Sequence, residues 1–342
     1  MADWNIIGNE RAVRALQASV RNGARHAYLF AGPARVGRAA AATRLAQALN
    51  CTSGDPPCGE CNACRRIAAG IHSDVQTVTI EAAAEDAAAR KSISVQQVRD
   101  VEKGVALNPY EGRTRVVIID PADAMSDGAQ GAFLKTLEEP PEHVVFVLIT
   151  SNPDRLFETI RSRCARIDFH LASAGEIEDA MRGRGVDAER ARLFARLSGG
   201  RPGWAIEATA GPQLLERRAE TLTTARALPA MPVGDRMDLA ERLSEAFKRE
   251  REPVWAQLEQ WQTWWRDVLL VVSDAAEGIA NLDMLADLQA DAAMYRRGDV
   301  ARFLQALADA RTYLAENVQS RIALDALMLA PPRKGSDVRL SR

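Results

Sequence analysis

The chain is short of the residues that usually advertise chemistry. Among 342 residues there are four histidines and five cysteines, aromatic residues make up 5%, and the formal net charge is −2. The histidines (His26, His72, His143 and His170) show no ligand spacing, so a histidine-built metal site is not expected. A near-neutral balance excludes a polycation that captures nucleic acid through its bulk field, although local contact stays open. No apolar run approaches the ~20 residues needed to span a bilayer. The N-terminus, Met1-Ala2-Asp3-Trp4-Asn5, has neither a basic nor an apolar leader segment, so no secretory signal is expected and a cytoplasmic address is. What remains is 47% hydrophobic and 26% charged, ordinary for a soluble globular chain whose length favours two or three domains.

A damaged loop stands out against this background. After the apolar run Ala27-Tyr28-Leu29-Phe30-Ala31 comes Gly32-Pro33-Ala34-Arg35-Val36-Gly37-Arg38-Ala39. The glycine spacing is that of G-x-x-x-x-G-K-[ST], in which backbone N–H groups cradle phosphates, Lys reaches the terminal phosphates and a hydroxyl ligates Mg²⁺. Arg38 stands at the Lys position and Ala39 at the hydroxyl position. Ala39 has no oxygen for a metal, and the planar fork of Arg38 does not replace a compact ammonium.

The first ~170 residues alternate short β-branched runs with helical stretches, the pattern of a parallel α/β sheet. Strands are expected at 28–30, 75–78, 116–119 and 144–149, the last two apolar enough to be covered on both faces. Helices are expected at 9–22, 38–49, 95–103 and 128–138, the last ended by Pro140-Pro141. Residues 82–90, rich in Ala, read as a surface loop or turn. From ~171 short helices are expected at 173–182, where Ser173 and Glu176 have capping-box spacing, and at 187–197. The turn cluster Ser198-Gly199-Gly200-Arg201-Pro202-Gly203 follows. From ~209 to ~330 Leu, Ala and Trp recur at helical spacing without strand alternation. The expected division is therefore 1–170 α/β, 171–208 a small helical module, 209–330 a helical bundle and 331–342 a flexible tail.

Four of the five cysteines, Cys51, Cys58, Cys61 and Cys64, fall in one stretch spaced C-x₆-C-x₂-C-x₂-C. Such steps place thiolates close enough to share one tetrahedral Zn²⁺, and an all-Cys set leaves no open position for water, so a structural metal is expected. Disulfides compete with this reading but are disfavoured in a reducing compartment, and a redox C-x-x-C also competes, although four clustered cysteines fit a closed structural site better. Cys164 stands apart and reads as an ordinary buried thiol.

Val116-Val117-Ile118-Ile119-Asp120 supplies an apolar strand ending in Asp, where a nucleotide site would continue with Glu. Pro121 follows instead, and Asp123 is displaced by two residues, so the carboxylate that polarises water is missing. Asp at a strand end also has purely structural uses. The arginines of Thr159-Ile160-Arg161-Ser162-Arg163-Cys164 are equally open to two readings: solvated surface charges, or guanidinium groups offered to a neighbour's γ-phosphate. Trp255, Trp261, Trp264 and Trp265 crowd one helical stretch, with core and subunit interface evenly weighed and base stacking well below both.

Taken together, His26-Ala27-Tyr28-Leu29-Phe30-Ala31-Gly32-Pro33, the four-cysteine insertion, Leu134-Lys135-Thr136-Leu137-Glu138-Glu139-Pro140-Pro141 and Ser162-Arg163-Cys164 resemble the bacterial clamp-loader AAA+ family of DNA polymerase III over most of residues 4–208. Asn317 and Arg321-Ile322-Ala323-Leu324-Asp325 are similar to the family's collar domain. The resemblance implies an AAA+ RecA-like parallel-sheet domain with a zinc insertion, a helical lid and an all-α collar. Within the family, Arg38, Ala39 and Pro121 favour the delta-prime branch, which commonly lacks a working nucleotide site, over the ATPase tau/gamma branch. A further departure falls near Gly203, where active members carry a sensor arginine, with Arg201 close by. The length fits a chain ending soon after the collar, without the long extension of tau. The resemblance also implies a stator without its own ATPase, no functional ATP site, and structural Zn on the four cysteines. It further implies Arg163 as a finger acting in trans, tau/gamma and delta subunits as partners, and contact with the sliding clamp and primed DNA through the complex.

Overall fold

The computed structural model describes residues 4–80, 92–275, 278–316 and 318–333. The loop expected at 82–90, Asn317 and nearly all of the tail lie outside the described residues. The chain divides into two compact units, Met1–Ala191 with Gly200–Ala205, and Arg192–Gly199 with Ile206–Arg342.

The first unit is built on five parallel strands in the order β2-β3-β4-β1-β5. They are β1 (Ala27–Ala31), β2 (Val75–Val78), β3 (Arg115–Ile119), β4 (Val144–Thr150) and β5 (Ala165–Asp168). The central strands are buried on both sides because strand side chains alternate between faces. Leu29, Val117, Ile119, Phe146 and Leu148 pack on one face with Val98, Val101 and Phe133. Tyr28, Phe30, Val116, Ile118, Val145 and Val147 pack on the other with Leu16, Ala42 and Leu45. The first face is covered by α4 (Val95–Val105) and α5 (Asp127–Glu138), the second by α1 (Glu10–Asn22) and α2 (Arg38–Asn50).

Beyond the expected elements the chain carries two short helices, Glu158–Arg161 and Pro202–Ala208, and two elements that bear on the site. α3 (Asn62–Ala68) runs through the cysteine segment and is started by Cys61, whose sulfur accepts from the Cys64 N–H. β5 pairs along β1 at one edge of the sheet, in register Tyr28 to Ala165 through Ala31 to Asp168. Several observed ends are set by caps. Ser94 and Gln97 form a capping box on α4, Ser126 caps α5, and Ser173 with Glu176 forms the expected box at α7 (Ala174–Gly183). The short α6 (Glu158–Arg161) precedes β5. α8 (Ala188–Leu197) and α9 (Pro202–Ala208) follow α7.

The second unit continues with α10 (Gln213–Ala227), α11 (Val233–Arg249), α12 (Arg251–Val272), α13 (Leu285–Ala292), α14 (Arg297–Ala315) and α15 (Ser320–Leu329). α11 lies along α15 and α12 along α14. The tryptophans are settled here by burial. Trp261, Trp264 and Trp265 are 0% exposed within one apolar cluster, and half-buried Trp255 packs edge-on against Phe247. They are core. Among the described residues no helix is long and apolar enough to cross a membrane.

Candidate functional site

The loop between β1 and α2 lies at the carboxyl ends of the parallel strands, where open α/β sheets bind ligands. Its backbone is fixed by glycine. A Cβ on Gly32 would stand 2.2 Å from the Phe169 carbonyl oxygen, and Gly37, at φ 97, precedes the first turn of α2. Arg35 takes a left-handed φ of 63. Its carbonyl accepts from the Gly203 N–H at 3.0 Å, and a Cβ on Gly203 would also lie 3.0 Å from that oxygen. Gly203, where the resemblance placed a sensor arginine, therefore sits directly on the loop.

Arg38 is buried, and its Nη2 donates to Ser151 Oγ just beyond β4 at 2.9 Å. Asp120 ends beyond β3. Burial raises its pKa, the Arg38 charge opposes that shift, and Asp123 adds to it. The Thr150 hydroxyl donates to Asp123 Oδ1 at 2.7 Å, so the displaced carboxylate is tied to the end of β4. Pro121 and Ala39 bring no polar side chain to this space.

The four cysteines converge. Their Sγ atoms all lie within 4.8 Å of one another, with Cys51–Cys58 at 3.5 Å and Cys58–Cys64 and Cys61–Cys51 at 4.0 Å. A tetrahedral Zn²⁺ with bonds of about 2.3 Å requires sulfurs about 3.8 Å apart, so the donor set fits zinc in type, number and spacing. Backbone N–H groups of Cys58, Cys61 and Cys64 donate to the sulfurs of Cys51, Cys58 and Cys61 at 3.5, 3.3 and 3.4 Å. Burial pushes the Cys61 thiol upward, but the N–H groups of Cys64 and Thr52 outweigh it and hold the pKa at about 6. Burial pushes Cys64 to about 12, so a metal would have to displace its proton. The knuckle is fastened to α2 from outside the thiols. Gln47 Nε2 donates to the Cys64 carbonyl at 2.7 Å, and Asn50 Oδ1 accepts from the N–H groups of Arg113 and Thr114 at 2.9 and 3.0 Å.

Arg163 lies just after α6. Its Nη1 donates to the Thr159 carbonyl at 3.0 Å and its Nη2 to Glu138 Oε1, at the end of α5, at 2.9 Å. Arg161 instead pairs with Asp154 at 2.7 Å. Cys164 is raised to about 12 by burial alone, as an inert thiol should be. The loop, the knuckle and Arg163 occupy separate places in the first unit.

Sequence reading missed a polar hub beside the knuckle. Asp74 is 1% exposed and accepts from the N–H groups of Tyr110, Glu111 and Gly112 at 2.7, 2.9 and 2.8 Å and from Arg115 Nη2 at 3.1 Å. Burial raises its pKa, but these four donors prevail and lower it to about 2. Its partners lie 36 to 41 residues away, so nothing near it in the chain announced them.

A P-loop-like strand, loop and helix on a five-stranded parallel sheet, with a four-cysteine knuckle inserted after α2, defines an AAA+ RecA-like nucleotide-site domain. The family model described as DNA polymerase III, delta subunit, matches residues 8–173. The tau subunit of Bacillus subtilis DNA polymerase III is 39% identical over 192 residues, 55% of this chain and 32% of that protein. Escherichia coli tau is 41% identical over 170 residues, 49% of this chain and 25% of that one. The delta-prime subunit of Pseudomonas aeruginosa is 37% identical over 201 residues, 58% of this chain and 59% of its own length. The matched stretches thus span between a quarter and three-fifths of these relatives. The crystal structure of a gamma subunit-related protein from Thermotoga maritima aligns over 93% of this chain and 97% of its own, at 17% identity and a TM-score of 0.39. The chain belongs to the bacterial DNA polymerase III clamp-loader AAA+ family.

Proposed function

We propose that the chain is a delta-prime type stator of the clamp loader, which lends an arginine to a neighbour's ATP and hydrolyses none itself. The observation that carries this is Arg38: the residue at the Lys position is buried and turned onto Ser151 and toward Asp120. Ala39 and Pro121 remove the metal-ligating hydroxyl and the water-polarising carboxylate from the same space. In this reading the helices of 171–208 act as the lid and those of 209–330 as the collar that joins tau/gamma and delta subunits. The sliding clamp and primed DNA are met through that assembly. Arg163 serves as the finger, and Cys51, Cys58, Cys61 and Cys64 hold a structural Zn²⁺ that cross-links the knuckle.

The competing reading, an active ATPase of the tau/gamma type, draws on the 39–41% identity to tau subunits. The isolated, purified chain separates the two. ATP binding at background and no Mg²⁺-dependent hydrolysis are expected for the stator; hydrolysis by the isolated chain overturns it.

A further inference from the structure

We propose that Glu138 is a positioning residue for Arg163, holding its guanidinium ready for a neighbour's phosphate. The inference rests on the reading of Arg163 as a finger and extends it to a second residue on a different helix. An arginine on a surface turn loses rotamer freedom when it docks, and that loss weakens whatever contact it makes. Here the loss is partly met in advance. Glu138, the last residue of α5, accepts from Nη2 at 2.9 Å, and the Thr159 carbonyl accepts from Nη1 at 3.0 Å. Two anchors on separate elements hold one side of the planar fork. A guanidinium carries five N–H donors in fixed geometry, so N–H groups beyond these two remain for bidentate contact with phosphate oxygens.

The pair is also exposed enough to be used. The side chains of Arg163 and Glu138 are 36% and 53% accessible, so a phosphate can reach the free N–H groups of the guanidinium while Glu138 holds its other side. Arg161 shows the contrast. It pairs with Asp154, whose side chain is 84% accessible, and Asp154 sits on the approach to α6 and not on α5. Arg161 thus lacks the tie to a second helix that fixes Arg163 against the sheet domain. Because Glu138 is itself negative, it does not attract ATP. Its contribution is confined to how well Arg163 is aimed once the nucleotide is in place, which belongs to the chemical step and not to binding.

The experiment uses the full chain reconstituted with its partner loader subunits, comparing parent, Glu138→Ala, Glu138→Gln and Arg163→Ala in DNA-stimulated ATP hydrolysis. Glu138→Ala is expected to lower kcat about 3- to 5-fold, the worth of an exposed ion pair, with KM for ATP not raised. Glu138→Gln, whose amide oxygen still accepts from Nη2, is expected to recover kcat to within about twofold of the parent. Incorporation into the complex, read by gel filtration, is expected to be unchanged for both. An unchanged kcat in Glu138→Ala, alongside a loss of about 10³-fold in Arg163→Ala, overturns the positioning role and keeps the finger. A fall in incorporation that matches the fall in kcat also overturns it, because the role is then structural. If Arg163→Ala itself has no effect, the finger reading fails and the inference falls with it.

Discussion

Replacing Asp74 by Asn changes one atom type at the most densely bonded carboxylate of the sheet domain. Oδ1 accepts from Tyr110 N and Arg115 Nη2, and Oδ2 from Glu111 N and Gly112 N. An Asn keeps one oxygen. Its amide nitrogen then faces two donors with a third, so whichever way it flips, two buried donors lose their acceptor. Each such loss costs about 1–3 kcal/mol. An independent route gives a similar size. Lowering the carboxyl from 3.8 to about 2 in the folded state is worth about 2.5 kcal/mol near neutral pH. A destabilisation of about 3 kcal/mol is therefore expected, or roughly 6–12 °C in the Tm of a unit this size. Space allows no easy escape, because a Cβ on Gly112 would already meet Asn50 Oδ1 at 2.4 Å and Asp74 Oδ2 at 3.3 Å.

The pH dependence carries a sign that separates charge from shape. The folded pKa lies below the unfolded one, so the unfolded chain takes up the proton first on acidification. The stabilisation is fully present above the ordinary carboxylate range and is lost as pH falls through about 2. Thermal melts of parent and Asp74→Asn followed by circular dichroism should differ most near neutral pH and converge toward acid. A drop in Tm below about 2 °C at neutral pH, or a gap that stays constant on acidification, refutes the reasoning.

Two other outcomes follow from the same structure. Freshly purified, reduced protein should carry one Zn²⁺ per chain by elemental analysis, and Cys64→Ser should lose it together with about 2–5 kcal/mol of stability around the knuckle; a metal-free parent sinks the four-thiolate site. Trp264→Phe keeps most of the ring but removes the Nε1 donor to buried Asp291 at 3.1 Å and trims the face that Arg226 covers at 5.3 Å, so a loss of about 2–3 kcal/mol is expected in urea unfolding of the helical unit, and a midpoint equal to the parent's contradicts it.

What was legible in the sequence was whatever depends on neighbours along the chain. Apolar runs gave β3 and β4 because burial on both faces demands them, and Ser173 with Glu176 marked the start of α7 because a cap is a local hydrogen bond. The knuckle was legible because its four cysteines share one short segment. β5 escaped because Ala165-Arg166-Ile167-Asp168 alternates as a half-exposed edge strand and looks like loop. Asp74 escaped because its partners are brought in by the pairing of β2 with β3. Helical periodicity placed the tryptophans on one helix but could not separate core from interface; packing against Tyr295, Phe303 and Asp291 did that. In the loop, sequence identified the lost Lys and hydroxyl, but nothing local showed that Arg38 folds back onto Ser151.

That orientation sorts the loop's positions into two kinds. Gly32 is pressed on Phe169, Gly37 lies 3.3 Å by its missing Cβ from Ile6, and the Arg35 carbonyl receives α9 through Gly203. These are backbone demands of the fold, and a change at any of them disturbs β1, β5 or the start of α2 whether or not nucleotide is bound. Positions 38, 39 and 121 differ, because in a working site they act only through side-chain groups aimed at phosphate, metal and water. In the stator reading proposed above no turnover is required of them, and Ala and Pro there cost the fold little. Position 38 is the exception, since half-buried Asp120 would face Asp123 without an opposing charge if the cation there were lost. Arg38 meets that need with a partner of its own, Ser151, just beyond the end of β4. A retained glycine frame, two emptied side-chain positions and one internal cation are what a subunit kept for assembly would be expected to preserve.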